Sequence, residues 1–463
     1  MLPMVVTRAI KASGLPPKSF GLYAQEVIGE RTVFALNEEQ PYTMASTTKI
    51  VTALAALDLL GPSYRWRTSA FVLGTLAEGQ LIGDLLIVGG GNAQLTSAEL
   101  AAWFVQMRAQ GLREIEGDIV LDRYAFQLKP ADHDGTPLQS AREPRHVWPD
   151  AMTLDEGQIG ISVQAARGKR PALSLQPALA DVRIDNRMTM ARAGSDCAAT
   201  PRWQADPRGG EGRATVVVQG TWAAGCGSRL ITFVPPPDSG IAARALPAMW
   251  AAAGGVLHGR VVSAAITPGV SPIPLGPDGE PQRPLSFHGS KPLTEMVRDI
   301  NKASDNFAAR NLMLSLSPGF PERPATLAGA QKIIGMWLRD QGLQDGDVRV
   351  ENGSGLSHTE RAKPRAMVQL LRKAWLTDQA QAFFESLPIA GVDGTLKNRL
   401  HGGRAAGQAY LKTGSLNDTS TLAGYVHGLS GKMYAVALMV NSSDPAAGRP
   451  ALDAMVEWLA KNG

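Results

Sequence analysis

The sequence predicts a multi-domain α/β protein whose first and last parts form one domain around an interruption. Three observations carry this. At 463 residues the chain is too long for one ordinary core, so two or three domains are expected. A helix-forming stretch near residue 50 gives way after Gly61 to short β runs punctuated by glycine. Helices and then strands return past residue 285, so about 200 residues separate the two parts of the outer domain.

The composition is that of a globular chain, with 44% apolar and 19% charged residues. The net charge of +4, from 46 basic and 42 acidic residues, is small for this length. No lysine/arginine block accompanies it, so nucleic acid is not an expected partner. No apolar run is long enough for a transmembrane segment. The opening "MLPMVVTRAIKASGLPPKS" lacks a basic start leading into an apolar stretch and does not read as a signal peptide, so either a cytoplasmic protein or a missing leader is expected. The two cysteines, Cys197 and Cys226, are not spaced as a metal or redox pair. Free buried thiols and a disulfide, which needs an oxidising compartment, are both open.

In chain order, "FGLYAQEVIGERTVFAL" (20–36) reads as a hairpin turning at "IGER". "ASTTKIVTALAAL" (45–57) is alanine- and leucine-rich and opens a helix. Glycine-broken β runs occupy 65–92, followed by an amphipathic helix over 96–112 with Leu100, Trp103, Phe104 and Met107 on one side. A strand follows at 114–126. Residues 130–210 are irregular, and strand-like pieces recur at 161–166, 181–190, 213–222 and 228–235. The proline- and glycine-rich stretch 268–285 reads as a linker. Helical texture returns over 293–316, 327–343 and 365–376. Strands follow at 409–416, 420–429 and 432–441, and a last helix at 450–463.

Three short motifs sit on these elements. Ser46 and Lys49 are three apart, hence on one helix face. Ser46 is the only serine with lysine at the third position after it. Ser304-Asp305-Asn306 enters a helix, and Lys412-Thr413-Gly414 lies on a strand. Each alone has an ordinary reading: an N-cap serine with a solvated lysine, an N-cap with polar neighbours, an edge-strand lysine before a turn glycine. Together and in this order they match the S-x-x-K, S-D-N and K-T-G set of penicillin-binding proteins and class A β-lactamases.

The chemistry accounts for the residue types. Serine is a weak nucleophile that needs an adjacent base, and a lysine one turn along serves if its amine is neutral. Burial and neighbouring positive charge favour the neutral form. Lys412 and the helix N-terminus near Ser46 supply such charge. Ser304 can relay a proton between lysine and leaving group, and Asn306 can hold Lys49 and the substrate amide. Lys412 and Thr413 suit a substrate carboxylate, with Gly414 and Ser415 completing the substrate edge. The N–H groups of Ser46 and Ser415 are expected to form an oxyanion hole, the second because the third motif is placed on a strand.

The chain as a whole resembles the low-molecular-mass class C penicillin-binding proteins, the D-alanyl-D-alanine carboxypeptidase/endopeptidase family. "PYTMASTTKIVTALAALDLLGPSYRWRT" is similar to that family's nucleophile region, and "GDLLIVGGGNAQLT" and "EIEGDIVLDRYAF" to its inserted region. "NGSGLS" (352–357) and "LPIAGVDGTLKNRL" (387–400) resemble the segments ahead of its third motif. Ser304 follows Ser46 by 258 positions, 304 less 46, which compact β-lactamases have no room for. The resemblance implies a catalytic domain of antiparallel sheet flanked by helices, formed by residues 1–66 and 286–463. It implies two inserted, mainly β domains over 67–285. It further implies a serine D-Ala-D-Ala carboxypeptidase, with DD-endopeptidase activity, acting on peptidoglycan stem peptides through an acyl-enzyme on Ser46. β-Lactam antibiotics would be covalent inhibitors, no metal or organic cofactor would be needed, and the location would be the periplasm, with the leader missing from this sequence.

Three positions depart from the family pattern: Arg310 stands where an acidic residue is usual, and Asn352 and His358 replace the outer residues of "DGSGLSR". "HVWPDAM" offers Trp148 and Asp150 as a substrate-side wall, or as an ordinary packed loop. Two rival functions stay open: a serine β-lactamase or esterase on the same fold, which would turn β-lactams over rapidly, and a non-catalytic muropeptide-binding protein.

Overall fold

In the computed structural model, the residues described are 2–129, 132, 148–166, 168, 170–192, 194–205, 213–236, 239–264 and 273–463. Much of the irregular stretch expected at 130–210, and the linker's start at 268–272, lie outside them.

A five-stranded antiparallel sheet joins the two ends of the chain, in the order Ala409–Leu416, Thr419–His427, Met433–Asn441, Phe20–Glu26, Thr32–Leu36. Its inner strands are apolar throughout because both faces are covered. Phe20, Leu22, Val436, Leu438 and Val440 point to one face, against Val6 of helix Met4–Ala12 and Leu452, Met455 and Leu459 of helix Pro445–Asn462. Tyr23, Ala435, Ala437 and Met439 point to the other, against helix Pro364–Trp375, with helix Thr48–Leu59 in the same hydrophobic cluster. Helix Thr48–Leu59 is buried over Thr48 to Leu57, as expected of a helix apolar nearly all round. On the edge strand Ala409 and Leu411 join the first face, so Lys412 and Gly414 turn toward the side that carries Ser46.

The helical stretch expected over 293–316 is two helices, Leu293–Ala303 and Asn306–Leu314. Ser304 breaks them, with a left-handed backbone (φ 59°), and Asp305 caps the second by accepting from the Ala308 N–H at 3.0 Å.

The chain leaves through Trp66 and returns through Ser290, whose hydroxyl accepts the Trp66 N–H at 3.0 Å. Arg67 on the way out pairs with Gly289 on the way back. Between them a mixed sheet is built on the hairpin Arg67–Ala77 and Gln80–Val88, with helices Ser97–Ala109 and Ile241–Ala252 packed on it. The second helix is not among those expected above; Pro247 lies inside it, where proline is unusual. Two three-stranded sheets complete this region. Cys197 and Cys226 are joined in a disulfide there. Among the described residues no helix is long and apolar enough to cross a membrane.

Candidate active site

The first motif lies on a tight turn, Ala45–Thr47, that runs straight into helix Thr48–Leu59. Ala45 has φ +47°, a conformation non-glycine residues rarely hold unless their surroundings impose it. The surroundings do so here. The Met44 carbonyl accepts from Thr47 Oγ1 at 2.7 Å and from Thr421 Oγ1 at 2.9 Å, and the Met44 N–H donates to the Glu360 carbonyl at 3.0 Å.

Lys49 is 0% exposed. Its Nζ lies 3.0 Å from Ser46 Oγ and donates to Asn306 Oδ1 at 2.6 Å and to the Ser354 carbonyl. Lys412, also fully buried, donates from Nζ to Ser304 Oγ and to the Thr413 carbonyl, each at 2.9 Å. The left-handed turn at Ser304 presents that hydroxyl while the following helix presents Asn306. Burial pushes the Asp305 carboxyl up, and the N–H groups of Ala308 and Phe307 and the charge of Lys49 pull it back.

The third motif closes the site. A Cβ on Gly414 would lie 2.2 Å from Thr421 Oγ1, 2.8 Å from the Met44 carbonyl and 3.0 Å from the Ser46 nitrogen, so only glycine lets this strand approach the Ser46 turn. The Leu411 N–H donates outward from the sheet edge, to the Pro388 carbonyl. By the alternation of an extended strand, the N–H groups of Thr413 and Ser415 face the same edge. Thr413 Oγ1 lies 2.7 Å from Thr395 Oγ1, and Ser415 is exposed.

Side chains from all three motifs thus meet. Two further residues at the site lie in segments singled out by the resemblance but were given no role there. Thr395, in "VDGTLK", has nothing in its neighbours that marks it individually. Ser354 acts through its carbonyl, and only the flanking Gly353 and Gly355 mark the spot. The Arg310 and Asn352 departures also converge there: Arg310 Nε lies 3.4 Å from Ser354 Oγ, and Asn352 Oδ1 accepts from the Ser354 N–H at 3.0 Å and hydroxyl at 2.6 Å. His358 pairs with Asp418 at 3.4 Å. Asp150 pairs with Arg123 and accepts the Met152 N–H at 2.9 Å, and its carbonyl accepts from Asn311 Nδ2 at 3.0 Å, the contacts of a packed loop. On the inserted sheet, Glu114, Glu116 and His258 bring ligand-type atoms within 4.8 Å, where a 2.5 Å hydrogen bond joins His258 to Glu114.

Comparison with known proteins matches residues 5–462 to the D-Ala-D-Ala carboxypeptidase 3 (S13) family. The D-alanyl-D-alanine carboxypeptidase of Actinomadura sp. is 28% identical over 437 residues, 90% of this chain and 76% of that protein. D-alanyl-D-alanine carboxypeptidase DacB of Haemophilus influenzae is 25% identical over 447 residues, 91% of this chain and 85% of that protein. The crystal structure of penicillin binding protein 4 (dacB) from Haemophilus influenzae superposes with a TM-score of 0.77 at 22% identity, covering 100% of both chains. That protein has also been solved complexed with a β-lactam.

Proposed function

The chain belongs to the D-Ala-D-Ala carboxypeptidase 3 (S13) family, and from that membership we propose that Ser46 is the nucleophile and Lys49 the base of a serine D-Ala-D-Ala carboxypeptidase. The observation that carries the assignment is the contact of Lys49 Nζ with both Ser46 Oγ, at 3.0 Å, and Asn306 Oδ1, at 2.6 Å.

A neutral amine has two N–H donors and one lone pair. Asn306 Oδ1 and the Ser354 carbonyl take the two hydrogens, which leaves the lone pair for the Ser46 hydroxyl proton. Ser46 Oγ then attacks the carbonyl carbon of the penultimate D-alanine as its proton passes to Lys49. The N–H groups of Ser46 and Ser415 stabilise the oxyanion. The C–N bond breaks, the departing amine takes a proton from Lys49 relayed by Ser304, and free D-alanine leaves. Water then hydrolyses the ester on Ser46. Lys412 holds Ser304 and, with Thr413 and Gly414, forms the edge that receives the terminal carboxylate.

The same chemistry cuts D-alanyl cross-bridges between stem peptides, which is endopeptidase activity. A β-lactam presents an acyl carbonyl to the same serine, and the acylated enzyme deacylates slowly. Peptidoglycan stem peptides as substrate and a disulfide in the inserted region together favour a periplasmic location.

Replacing Ser46 with alanine tests the reading. Peptidase activity and covalent labelling by a fluorescent penicillin both disappear if it is right. Labelling retained by the variant contradicts it.

A further inference from the structure

Glu360 belongs to none of the three motifs and is 0% exposed. A buried carboxylate is costly unless its oxygens are satisfied. Here Oε1 accepts the N–H groups of Glu351, Asn352 and Gly353 at 3.0, 2.9 and 2.8 Å, and Oε2 accepts that of Gly355 at 2.7 Å. Gly353 and Gly355 have φ of +79° and +88°, which lets successive N–H groups converge on one anion. Burial holds this carboxyl above its ordinary value, and the four N–H groups offset only part of that.

The other side of the cradled loop faces the nucleophile. The Gly353 carbonyl accepts from Thr52 Oγ1 at 2.8 Å, and the Ser354 carbonyl accepts from Lys49 Nζ. A Cβ on Gly355 would lie 2.0 Å from the Ala45 carbonyl. Glu360 also holds the opposite wall, since its own carbonyl accepts the Met44 N–H at 3.0 Å. One residue therefore ties the loop that contacts the lysine to the turn that carries the serine.

We infer that Glu360 is a positioning residue for acylation: its carboxylate folds the 351–355 loop so that the Ser354 carbonyl orients the Lys49 amine toward Ser46. The inference rests on the base role proposed for Lys49. Without the Ser354 carbonyl, one N–H of the amine loses its partner and the lone pair is no longer aimed at the Ser46 hydroxyl.

The test is Glu360→Gln. Its amide keeps the size but puts an NH2 where one oxygen received N–H groups. D-alanine release from a stem pentapeptide is measured together with the benzylpenicillin acylation rate, beside a destabilised control, Leu459→Ala, compared at equal loss of melting temperature. The expected result is a fall in kcat on the order of 10- to 100-fold with KM nearly unchanged, as for a misplaced catalytic group. The control keeps its kcat, and Glu360→Asp, which retains the charge, is intermediate. Should the glutamine variant not fold, the aspartate variant is read against the same control. A kcat no lower than the control's overturns the inference. Lys49→Ala separates the two levels. Inactive Lys49→Ala with fully active Glu360→Gln sinks this inference alone. Active Lys49→Ala sinks the base assignment and the inference with it.

Discussion

Lys49 Nζ and Asn306 Oδ1 lie 2.6 Å apart although 257 positions separate them in the chain. The contact joins the helix that follows Ser46 to the helix that follows the break at Ser304, on either side of the long interruption. The inserted region can therefore vary without disturbing this contact only while the chain returns to the same place. The pairing of Arg67 with Gly289 fixes that return.

Asn306→Asp tests what the amide does for the lysine. A carboxylate in its place favours the ammonium form of Lys49, which cannot accept the Ser46 proton. Acylation by benzylpenicillin should fall by roughly 100-fold or more near neutral pH, as when a catalytic base is lost. The acidic limb of the rate profile should move to higher pH. A rate profile superposable on that of the unmodified protein would contradict a base role for Lys49.

Glu156 gives the fold a pH dependence of its own. Burial, then the charges of Asp305, Asp155 and Asp299, push its carboxyl from 4.5 up to about 7, against the pull of Lys291. Between those values the folded protein keeps a proton that the unfolded chain has released, so this group's contribution to stability falls as pH rises from 4.5 to about 7. Glu156→Gln removes that loss. Melting curves at pH 5 and pH 8 should show the variant gaining on the unmodified protein at the higher pH. An equal difference at both values would mean that Glu156 titrates normally.

The Cys197–Cys226 disulfide closes a loop with a sequence separation of 29. Loop-closure entropy for that length is worth about 3–4 kcal/mol in the unfolded chain. Changing both cysteines to serine should lower the melting temperature while benzylpenicillin acylates Ser46 at an unchanged rate. A slowed acylation would mean that the inserted sheets position the catalytic groups.

The parts of the site legible in the sequence are those in which, in the proposed reaction, the side chain itself would do the chemistry. Ser46 and Lys49 share one turn, and Lys412 sits in a Lys-Thr-Gly motif on a strand. The groups that hold them in place are harder to read. Ser354 contributes a carbonyl that any residue has, and Glu360 gathers four backbone N–H groups through a loop whose shape depends on two glycines. The sheet was legible because strands such as Met433–Asn441 are apolar on both faces. Within 293–316 the helix start at Ser304-Asp305-Asn306 was legible, but the left-handed backbone that ends the preceding helix was not, because Ser304 takes it without a glycine. Helix Met4–Ala12 was missed although Val6 and Ile10 stand one turn apart on its buried face; with nine residues it depends on packing against the last helix, a tertiary contact.

The proposed activity stands on Ser46 carrying the acyl group. Intact-mass spectrometry of the protein with benzylpenicillin, followed over time and with peptide mapping, tests it most directly when D-alanine release from a stem pentapeptide is assayed in parallel. The expected result is a single long-lived adduct on the peptide containing Ser46, together with released D-alanine. An adduct on another residue, or no adduct and no D-alanine, would contradict it. An adduct that vanishes as penicillin is consumed would make the protein a β-lactamase.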